Sequence, residues 1–316
     1  MKAQNFFPVL LTLCLAAACR PSGYAVFSGY AQGGTYTVKA DLTGVSVPRE
    51  EIAAAIDSLL AGIDFSLSGY NKNSLLSRYN AGEDIVPDRY FREVRALSER
   101  YRTESGGAFD AAAAPLFDIW GFGFTADSLP DPQRVAGAIA ACKEEKMLNF
   151  NAIAQGYTCD VVAGYLHSLG VSDMLVDIGE IFCEGLNPAG KGWTIGVDNP
   201  VDGNDTPGQD LRGIWQSDGG ACGIVTSGNY RKFYIRDGRK YAHTIDPRTG
   251  YPVTHDLLSA TIVAPTAAEA DALATACMVL GPEQAQALIL SRDGIEGYLI
   301  TGSGTWMSEG FAARLK

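Results

Sequence analysis

Residues 258–280 read LSATIVAPTAAEADALATACMVL, and this stretch gives the clearest local indication of the fold. Its first six residues have the composition of a β-strand. Thr266 and Glu269 then have the spacing of a capping box, which marks the start of a helix over residues 267–280. The stretch therefore predicts a strand that is followed at once by an alanine-rich helix.

Further helices and strands are predicted along the rest of the chain. Helical periodicity occurs in residues 50–63, 88–102, 131–146, 154–169 and 282–292. Strand patterns occur in residues 36–40, 173–178, 193–197, 223–226, 233–235 and 297–300. Because the two types do not alternate regularly, we expect one α+β domain of mixed sheets and helices over residues 24–316 rather than a doubly wound sheet.

The composition excludes several classes of protein. The chain has 316 residues, of which 47% are hydrophobic, and 25 basic against 36 acidic side chains give a net charge of −11. The hydrophobic share is too high for a disordered chain. The acidic balance argues against nucleic acid as a partner, since phosphate backbones are bound by basic surfaces. A phosphate-bearing ligand would need a metal ion or backbone N–H groups beside it.

The N-terminal segment resembles a bacterial lipoprotein signal. Residues 6–18 are mostly apolar but too few to span a bilayer, and small residues directly precede Cys19. We expect residues 1–18 to be a signal peptide, Cys19 to carry a lipid and residues 19–23 to be a tether. This predicts a lipoprotein of the bacterial cell envelope that faces the periplasm, held to the membrane by its lipid anchor. The alternative is an ordinary signal peptide that happens to contain a cysteine.

The remaining cysteines carry little functional information. Five follow Cys19, at positions 142, 159, 183, 222 and 277. Their number is odd, their spacings are wide, and none forms a C-x-x-C pair. They predict neither a disulfide framework nor a zinc site, and we expect most of them to be buried as small apolar residues.

Two segments have residue types that suit a ligand. Residues 103–110 read TESGGAFD, where paired glycines permit close backbone approach and Phe109 with Asp110 could stack on and hydrogen-bond to a planar ring. A glycine turn between two helices is the alternative. Residues 149–157 read NFNAIAQGY, where amides and a glycine at a helix start suit a phosphate. Simple capping of that helix by Asn151 is the alternative.

Two further segments offer a base and metal ligands. His243 lies between an aromatic-rich strand and a turn signature, from where it could reach a cleft and accept a proton. A structural histidine is the alternative. Asp271 and Thr275 are spaced i and i+4 on the helix over residues 267–280, so two hard oxygen ligands for Mg²⁺ share one face. A solvated aspartate is the alternative there.

Together and in this order, these segments resemble the ApbE family, flavin transferases that use FAD to attach FMN to proteins. The strongest match runs from TSGNYR at residues 226–231 through HTIDPRTG at 243–250 to APTAAEAD at 264–271. Residues 70–80, YNKNSLLSRYN, match a further family segment. The resemblance covers nearly all of the chain after the signal segment.

The resemblance implies a single α+β, T-fold-related domain that takes FAD as substrate and binds Mg²⁺. It implies transfer of FMN to a threonine or serine hydroxyl of an acceptor flavoprotein. By motif position, the residues that contact FAD would be Tyr70, Ala108, Phe109, Asp110, Asn149, Gln155 and Ile245. The metal ligands would be the Ala152 carbonyl, Asp271 and Thr275. His243 would be the base for the acceptor hydroxyl.

Three positions depart from the family pattern. Gln155 stands where a lysine is usual, Asn149 where an aspartate is common, and Ala274 where some members have a second aspartate. Fewer protein ligands would leave more of the metal shell to water or the diphosphate. Two other functions remain open: a metal-dependent FAD pyrophosphatase that releases FMN and AMP, and a lipoprotein that binds FAD without turnover.

Overall fold

The computed structural model describes residues 23–123, 129–201, 203–204, 206, 208–230, 233–236 and 239–316. The predicted signal peptide 1–18 and Cys19 lie outside these residues, as does most of the predicted tether 19–23. Within the described part of the chain, no helix combines the length and the apolar character that crossing a bilayer requires.

Helices and strands follow one another in a mixed order. The strands are β1 Tyr24–Ala31, β2 Gly34–Asp41, β3 Met174–Asp177, β4 Ile181–Glu184, β5 Thr194–Asp198, β6 Leu211–Gln216, β7 Cys222–Gly228, β8 Phe233–Arg236, β9 Arg239–Ala242, β10 Ile245–Asp246, β11 Tyr251–Pro252, β12 Leu257–Ala264, β13 Glu296–Thr301 and β14 Thr305–Met307. The helices are α1 Arg49–Leu67, α2 Leu75–Asn80, α3 Arg89–Glu104, α4 Ala114–Ile119, α5 Pro132–Cys142, α6 Ala154–Ser168, α7 Ala267–Leu280, α8 Pro282–Leu290 and α9 Glu309–Ala312, with a 3₁₀ turn at Ala111–Ala113 before α4.

The predicted elements are all present, with boundaries that differ by a few residues. The largest differences are in α1, which continues to Leu67, and in α5, which ends at Cys142 instead of residue 146. The predicted strand and helix of residues 258–280 are β12 and α7, and the Thr266 side chain accepts a hydrogen bond from the Glu269 N–H as predicted for the cap. The α+β class is confirmed.

Eight strands form one sheet in the order β1-β2-β3-β4-β7-β12-β13-β14, and every neighbouring pair is antiparallel. The pairs β5–β6, β8–β9 and β10–β11 form separate two-stranded ribbons. Antiparallel strands need no crossover helices, which explains why the sequence lacks a regular β-α-β alternation.

The sheet has a hydrophobic core on each face, because successive residues of a strand point in opposite directions. On β7, Ile224 belongs to the same core as Trp215 of the β5–β6 ribbon. The next residue, Val225, belongs to the core that contains Leu273 of α7. Helices α6, α7 and α8 therefore cover one face, and the β5–β6 ribbon with α9 covers the other.

Helices α6 and α7 are joined by hydrogen bonds that run in both directions. The Asp160 carboxylate of α6 accepts from the N–H groups of Ala267 at 2.8 Å and Ala268 at 2.9 Å. The Asp271 carboxylate of α7 accepts from the N–H group of Gly156 at 3.1 Å. The first N–H groups of a helix have no acceptor within the helix itself. Here each of the two helices supplies a carboxylate that accepts from such N–H groups of the other.

Two glycines let α6 and β7 approach the start of α7 closely. A Cβ atom at Gly156 would lie 2.3 Å from the Ala267 carbonyl oxygen, and one at Gly223 would lie 2.3 Å from the Ala267 Cα. No side chain fits at such distances. The close contact places the first turn of α6 beside the Asp271 side chain.

Candidate active site

A cavity of about 320 Å³ opens where α7, the end of β7 and the loops before α4, α6 and β10 meet. All but one of the residues predicted for FAD, metal or catalysis line it: Tyr70, Ala108, Phe109, Asp110, Asn149, Ala152, His243, Ile245, Asp271 and Thr275. Segments separated by up to two hundred residues in sequence therefore meet at one place in the fold.

The exception is Gln155. Its side-chain amide donates to the Ile178 carbonyl at 3.3 Å, and it is not among the described residues that line the cavity. The structure thus places the Gln155 side chain against the turn between β3 and β4, and its contact with FAD stays a prediction. The Gln155 amide is neutral, so it cannot supply the charge of a lysine beside a phosphate.

Asp271 is a buried carboxylate at one end of the cavity. Its residue is 4% exposed, and burial raises the pKa of this carboxyl from its ordinary value of 3.8 to about 7. The Gly156 N–H that it accepts would, in a regular helix, donate to the Ala152 carbonyl. Within the described residues, no backbone N–H donates to that carbonyl. The bond from Gly156 to Asp271 therefore leaves the Ala152 oxygen available.

These oxygen atoms fit a divalent cation. A carboxylate, a hydroxyl from Thr275 and the Ala152 carbonyl are hard donors of the kind that Mg²⁺ takes. A buried ionised carboxylate with one amide donor is unfavourable without a compensating positive charge. Within the described residues, no three His, Cys, Asp or Glu side chains form a metal cluster. A cation here would have one protein carboxylate and would take its remaining ligands from neutral oxygens, water or substrate.

His243 lies between β9 and β10, and its half-buried ring faces the cavity. The ring makes an edge-on contact with Phe122, with centroids 6.3 Å apart. Phe122 stacks on Tyr234 of β8, which stacks on Tyr241 of β9, and Tyr241 stacks on Trp120 after α4. This aromatic row joins the β8–β9 ribbon to α4, and it positions the imidazole at the cavity wall.

The segment after the paired glycines of residues 106 and 107 turns Asp110 toward the cavity. Gly106 and Gly107 have φ values of +60° and +81°, which favour glycine. The Asp110 carboxylate accepts from the Ala112 N–H at 2.8 Å and lies 3.4 Å from the Arg102 guanidinium. Burial raises the pKa of Asp110, and the bond from Ala112 and the charge of Arg102 oppose that rise.

Phe109 does not match the expected stacking platform. Its residue is 2% exposed, and its ring packs edge-on against Tyr101 in the core, with centroids 6.4 Å apart. Ala108 and Ile245 are each 1% exposed. These three residues shape the cavity wall but offer little side-chain surface to a planar ring.

The segment before α6 is organised by Asn149. Its N–H donates to the Ala111 carbonyl at 2.8 Å, which ties this segment to the one that carries Asp110. Its side-chain oxygen accepts from the Asn151 N–H at 2.9 Å. Helix α6 is not capped by Asn151, because its cap position is Ile153 and has no side-chain bond. At the rim, Tyr70 is 67% exposed and its hydroxyl accepts from the Asn151 amide at 3.4 Å.

Several lining residues were not predicted as site residues. They are Ala111, Phe117, Phe122, Asn151, Glu180, Thr226, Ser227, Gly228, Tyr230, Thr244, Pro247, Met278 and Val279. Most belong to segments that the motifs had already selected. Glu180 does not, since it lies in the turn between β3 and β4 and reaches the cavity only because β4 pairs with β7.

The fold and the cavity define an α+β domain with a ligand site that combines a histidine, carboxylates and metal-suited oxygens. The chain belongs to the ApbE family, whose model matches residues 33–299. Its relatives include the FAD:protein FMN transferase of Klebsiella pneumoniae (strain 342), 33% identical, with 96% of this chain and 93% of that one covered. The Escherichia coli (strain K12) protein of the same name is 31% identical, with 88% and 86% covered.

Solved structures have the same fold. The flavin transferase ApbE from Vibrio cholerae superposes with a TM-score of 0.78 at 29% identity, covering 93% of this chain and 100% of that one. The apo form of the Pseudomonas stutzeri flavinyl transferase ApbE gives a TM-score of 0.79 at 33% identity, covering 92% and 96%.

Proposed function

We propose that this chain is a Mg²⁺-dependent FAD:protein FMN transferase, which moves FMN from FAD to a threonine or serine hydroxyl of an acceptor protein and releases AMP. One observation carries the proposal: a single cavity collects His243, the open Ala152 carbonyl, Asp271 and Thr275. The names of the relatives and of the similar solved structures agree with transfer of FMN from FAD to a protein.

The reaction is a phosphoryl-type transfer. His243 takes the proton of the acceptor hydroxyl, whose oxygen forms a bond to the FMN phosphorus while the diphosphate bond to AMP breaks. The acceptor must come from solvent, and His243 stands at the half-buried wall of the cavity rather than at its floor. The aromatic row behind the ring keeps the imidazole in position for that proton.

The charge of FAD must be balanced by something other than basic side chains. The chain is strongly acidic, and loss of residues 1–18 would remove Lys2 and make it one unit more acidic. Gln155 supplies no cation, and its side-chain amide donates to the Ile178 carbonyl. A bound Mg²⁺ would supply positive charge to balance the diphosphate and the departing AMP. Ala152, Asp271 and Thr275 are the residues that would hold it.

The deciding experiment uses the full chain, extracted in detergent, with FAD, Mg²⁺ and an acceptor protein that carries a candidate threonine. We expect a covalent FMN mass increment on the acceptor and one AMP released per FMN attached. FMN and AMP released in solution without attachment would make the chain a pyrophosphatase instead. Tight FAD binding with no AMP release would make it a binding protein.

The variant His243→Ala tests the base. We expect a loss of about 10² to 10⁴ in the transfer rate with little change in FAD affinity, because the ring moves a proton and does not hold the flavin. His167→Ala is the matched control: His167 contacts Glu184 on the surface, away from the cavity. Normal transfer by the His243 variant, or an equal loss in the His167 variant, would contradict the assignment.

We also propose that Cys19 carries a lipid and holds the domain to the envelope membrane, facing the periplasm. The proposal is supported by the apolar run of residues 6–18 and by the small residues directly before Cys19. In cells fed radioactive palmitate, the chain should be labelled and the Cys19→Ser variant should not. An unlabelled wild-type chain would refute the anchor.

A further inference from the structure

Cys183 on β4 and Cys222 at the start of β7 lie directly opposite each other in the sheet. Their Sγ atoms are 3.7 Å apart, and the residues are 0% and 8% exposed. The other cysteines of the described chain have different surroundings; the Cys159 thiol, for example, donates to the Glu180 carbonyl. The two opposed thiols form a pair that the sequence spacing did not suggest.

The backbone at this pair has the separation that a disulfide needs. Directly opposed residues of antiparallel strands have Cα atoms about 4.5 to 5.5 Å apart. Disulfides join Cα atoms about 4.4 to 6.8 Å apart. The strands therefore need not move for a bond to form, and rotation of the two side chains brings the sulfur atoms together.

We propose that Cys183 and Cys222 are a modification site at which a low-molecular-weight disulfide oxidises both thiols to a cross-strand disulfide. The Cys222 thiolate attacks one sulfur of the oxidant, the oxidant's own disulfide breaks, and one thiol leaves. The Cys183 sulfur then loses its proton and attacks Cys222 in the mixed disulfide, which releases the second thiol. Two protein thiols are oxidised, and one external disulfide is reduced.

The surroundings favour Cys222 as the first thiol to react. The two thiols share a hydrogen bond, and this contact lowers the pKa of Cys222 and raises that of Cys183. The Arg314 guanidinium also lowers the pKa of Cys222, while burial and the Asp218 carboxylate oppose this. Cys222 is also the less buried of the two, and a thiolate is the form that attacks a disulfide.

The bond would close the segment between β4 and β7 at its base. That segment contains Trp193 and the β5–β6 ribbon with Trp215. Both tryptophans belong to the hydrophobic core on one face of the sheet. Joining residues 39 positions apart reduces the freedom of the unfolded chain. We expect the oxidised protein to unfold at a temperature roughly 5 to 10 °C higher than the reduced protein.

The test starts with the full chain purified under reducing conditions, with reductant removed, and incubated with oxidised glutathione. Acid quenching, alkylation in denaturant and peptide mass spectrometry then identify the oxidised residues. We expect a linked peptide pair containing Cys183 and Cys222, with neither of them alkylated. Alkylation of both residues, a stable glutathione adduct on either, or linkage to another cysteine would overturn the proposal.

Matched variants separate the bond from other effects of oxidation. Cys142→Ala removes a buried cysteine outside the pair and should keep both the linked peptides and the shift in unfolding temperature. The double variant Cys183→Ala, Cys222→Ala should show neither. If that variant does not fold, the single variant Cys222→Val replaces it, because valine keeps the volume of the site and removes one sulfur. It too should show neither the linked peptides nor the temperature shift. A temperature shift that persists without the pair would also refute the proposal.

Discussion

The variant Gly156→Ala tests whether the contact between α6 and α7 forms the metal end of the cavity. A Cβ at this position would lie 2.3 Å from the Ala267 carbonyl oxygen, 2.6 Å from its carbon and 2.9 Å from the Ala268 nitrogen. All three atoms belong to the backbone, so no side-chain rotation relieves the overlap. The two helices have to separate by roughly 1 Å to restore an ordinary contact.

Three effects determine how Gly156→Ala changes the free energy of unfolding. Overpacking costs about 1 to 3 kcal/mol. Separation also breaks the bond from the Gly156 N–H to the Asp271 carboxylate, and a hydrogen bond to a charged group contributes about 1.5 to 3 kcal/mol. Alanine regains up to about 1 kcal/mol of helix propensity. We therefore expect the free energy of unfolding to fall by about 3 kcal/mol, and the Mg²⁺ affinity to fall with it.

Gly164→Ala is the matched control for this measurement. Gly164 lies on the same helix, and no described atom outside its own stretch of helix comes within 4 Å of the place that an alanine Cβ would take. Here the same substitution should raise the free energy of unfolding by about 0.5 to 1 kcal/mol. Urea titration of both variants without ligand, followed by titration with Mg²⁺, makes the comparison. Equal stability of the two variants, or wild-type Mg²⁺ affinity in Gly156→Ala, would refute the reasoning.

Two other predictions concern the predicted ligands of the metal and of FAD. Burial raises the pKa of Asp271 to about 7, so a proton competes with the cation for this carboxylate below that pH. Calorimetry should therefore show that the Mg²⁺ affinity falls by up to about tenfold for each pH unit below 7 and is constant above it. Asp271→Asn should abolish this dependence, and a persistent slope would exclude Asp271 as its source. Gln155→Ala should leave the FAD dissociation constant unchanged, because its amide points to Ile178. Asn149→Ala should raise that constant, because Asn149 orders the segment before α6; the reverse outcome would restore Gln155 to the site.

Periodicity and capping predicted the long helices well, but the eight-residue strand β1 was missed. The stretch 258–280 is the strand and helix that its pattern indicated, and the Thr266 cap is in place. Short strands such as β4 and β14 were missed, since four and three residues are too few to establish an alternation. They exist because neighbouring strands pair with them, which is a property of the assembled sheet.

The candidate site was predicted mainly by the order of its motifs, and the positions where the structure differs from expectation have physical reasons. Gln155 belongs to the same sequence motif as Asn149 and Ala152. Its side chain, however, extends from the start of α6 toward the turn between β3 and β4, where its amide donates to the Ile178 carbonyl. Glu180 enters the cavity through the register of β4 and β7, which no local pattern records. The same register places Cys183 opposite Cys222, so the spacing of the cysteines could not reveal the pair.

The reciprocal bonds between α6 and α7 have a consequence for local opening of the protein. Since the Asp160 carboxylate holds the Ala267 and Ala268 amides while Asp271 holds the Gly156 amide, neither helix end can fray alone. The two ends should open as one cooperative unit, with similar hydrogen-exchange rates for all three amides. A cation that neutralises Asp271 would then slow exchange at the start of both helices, so occupancy of the site could be followed from amides that never touch the metal.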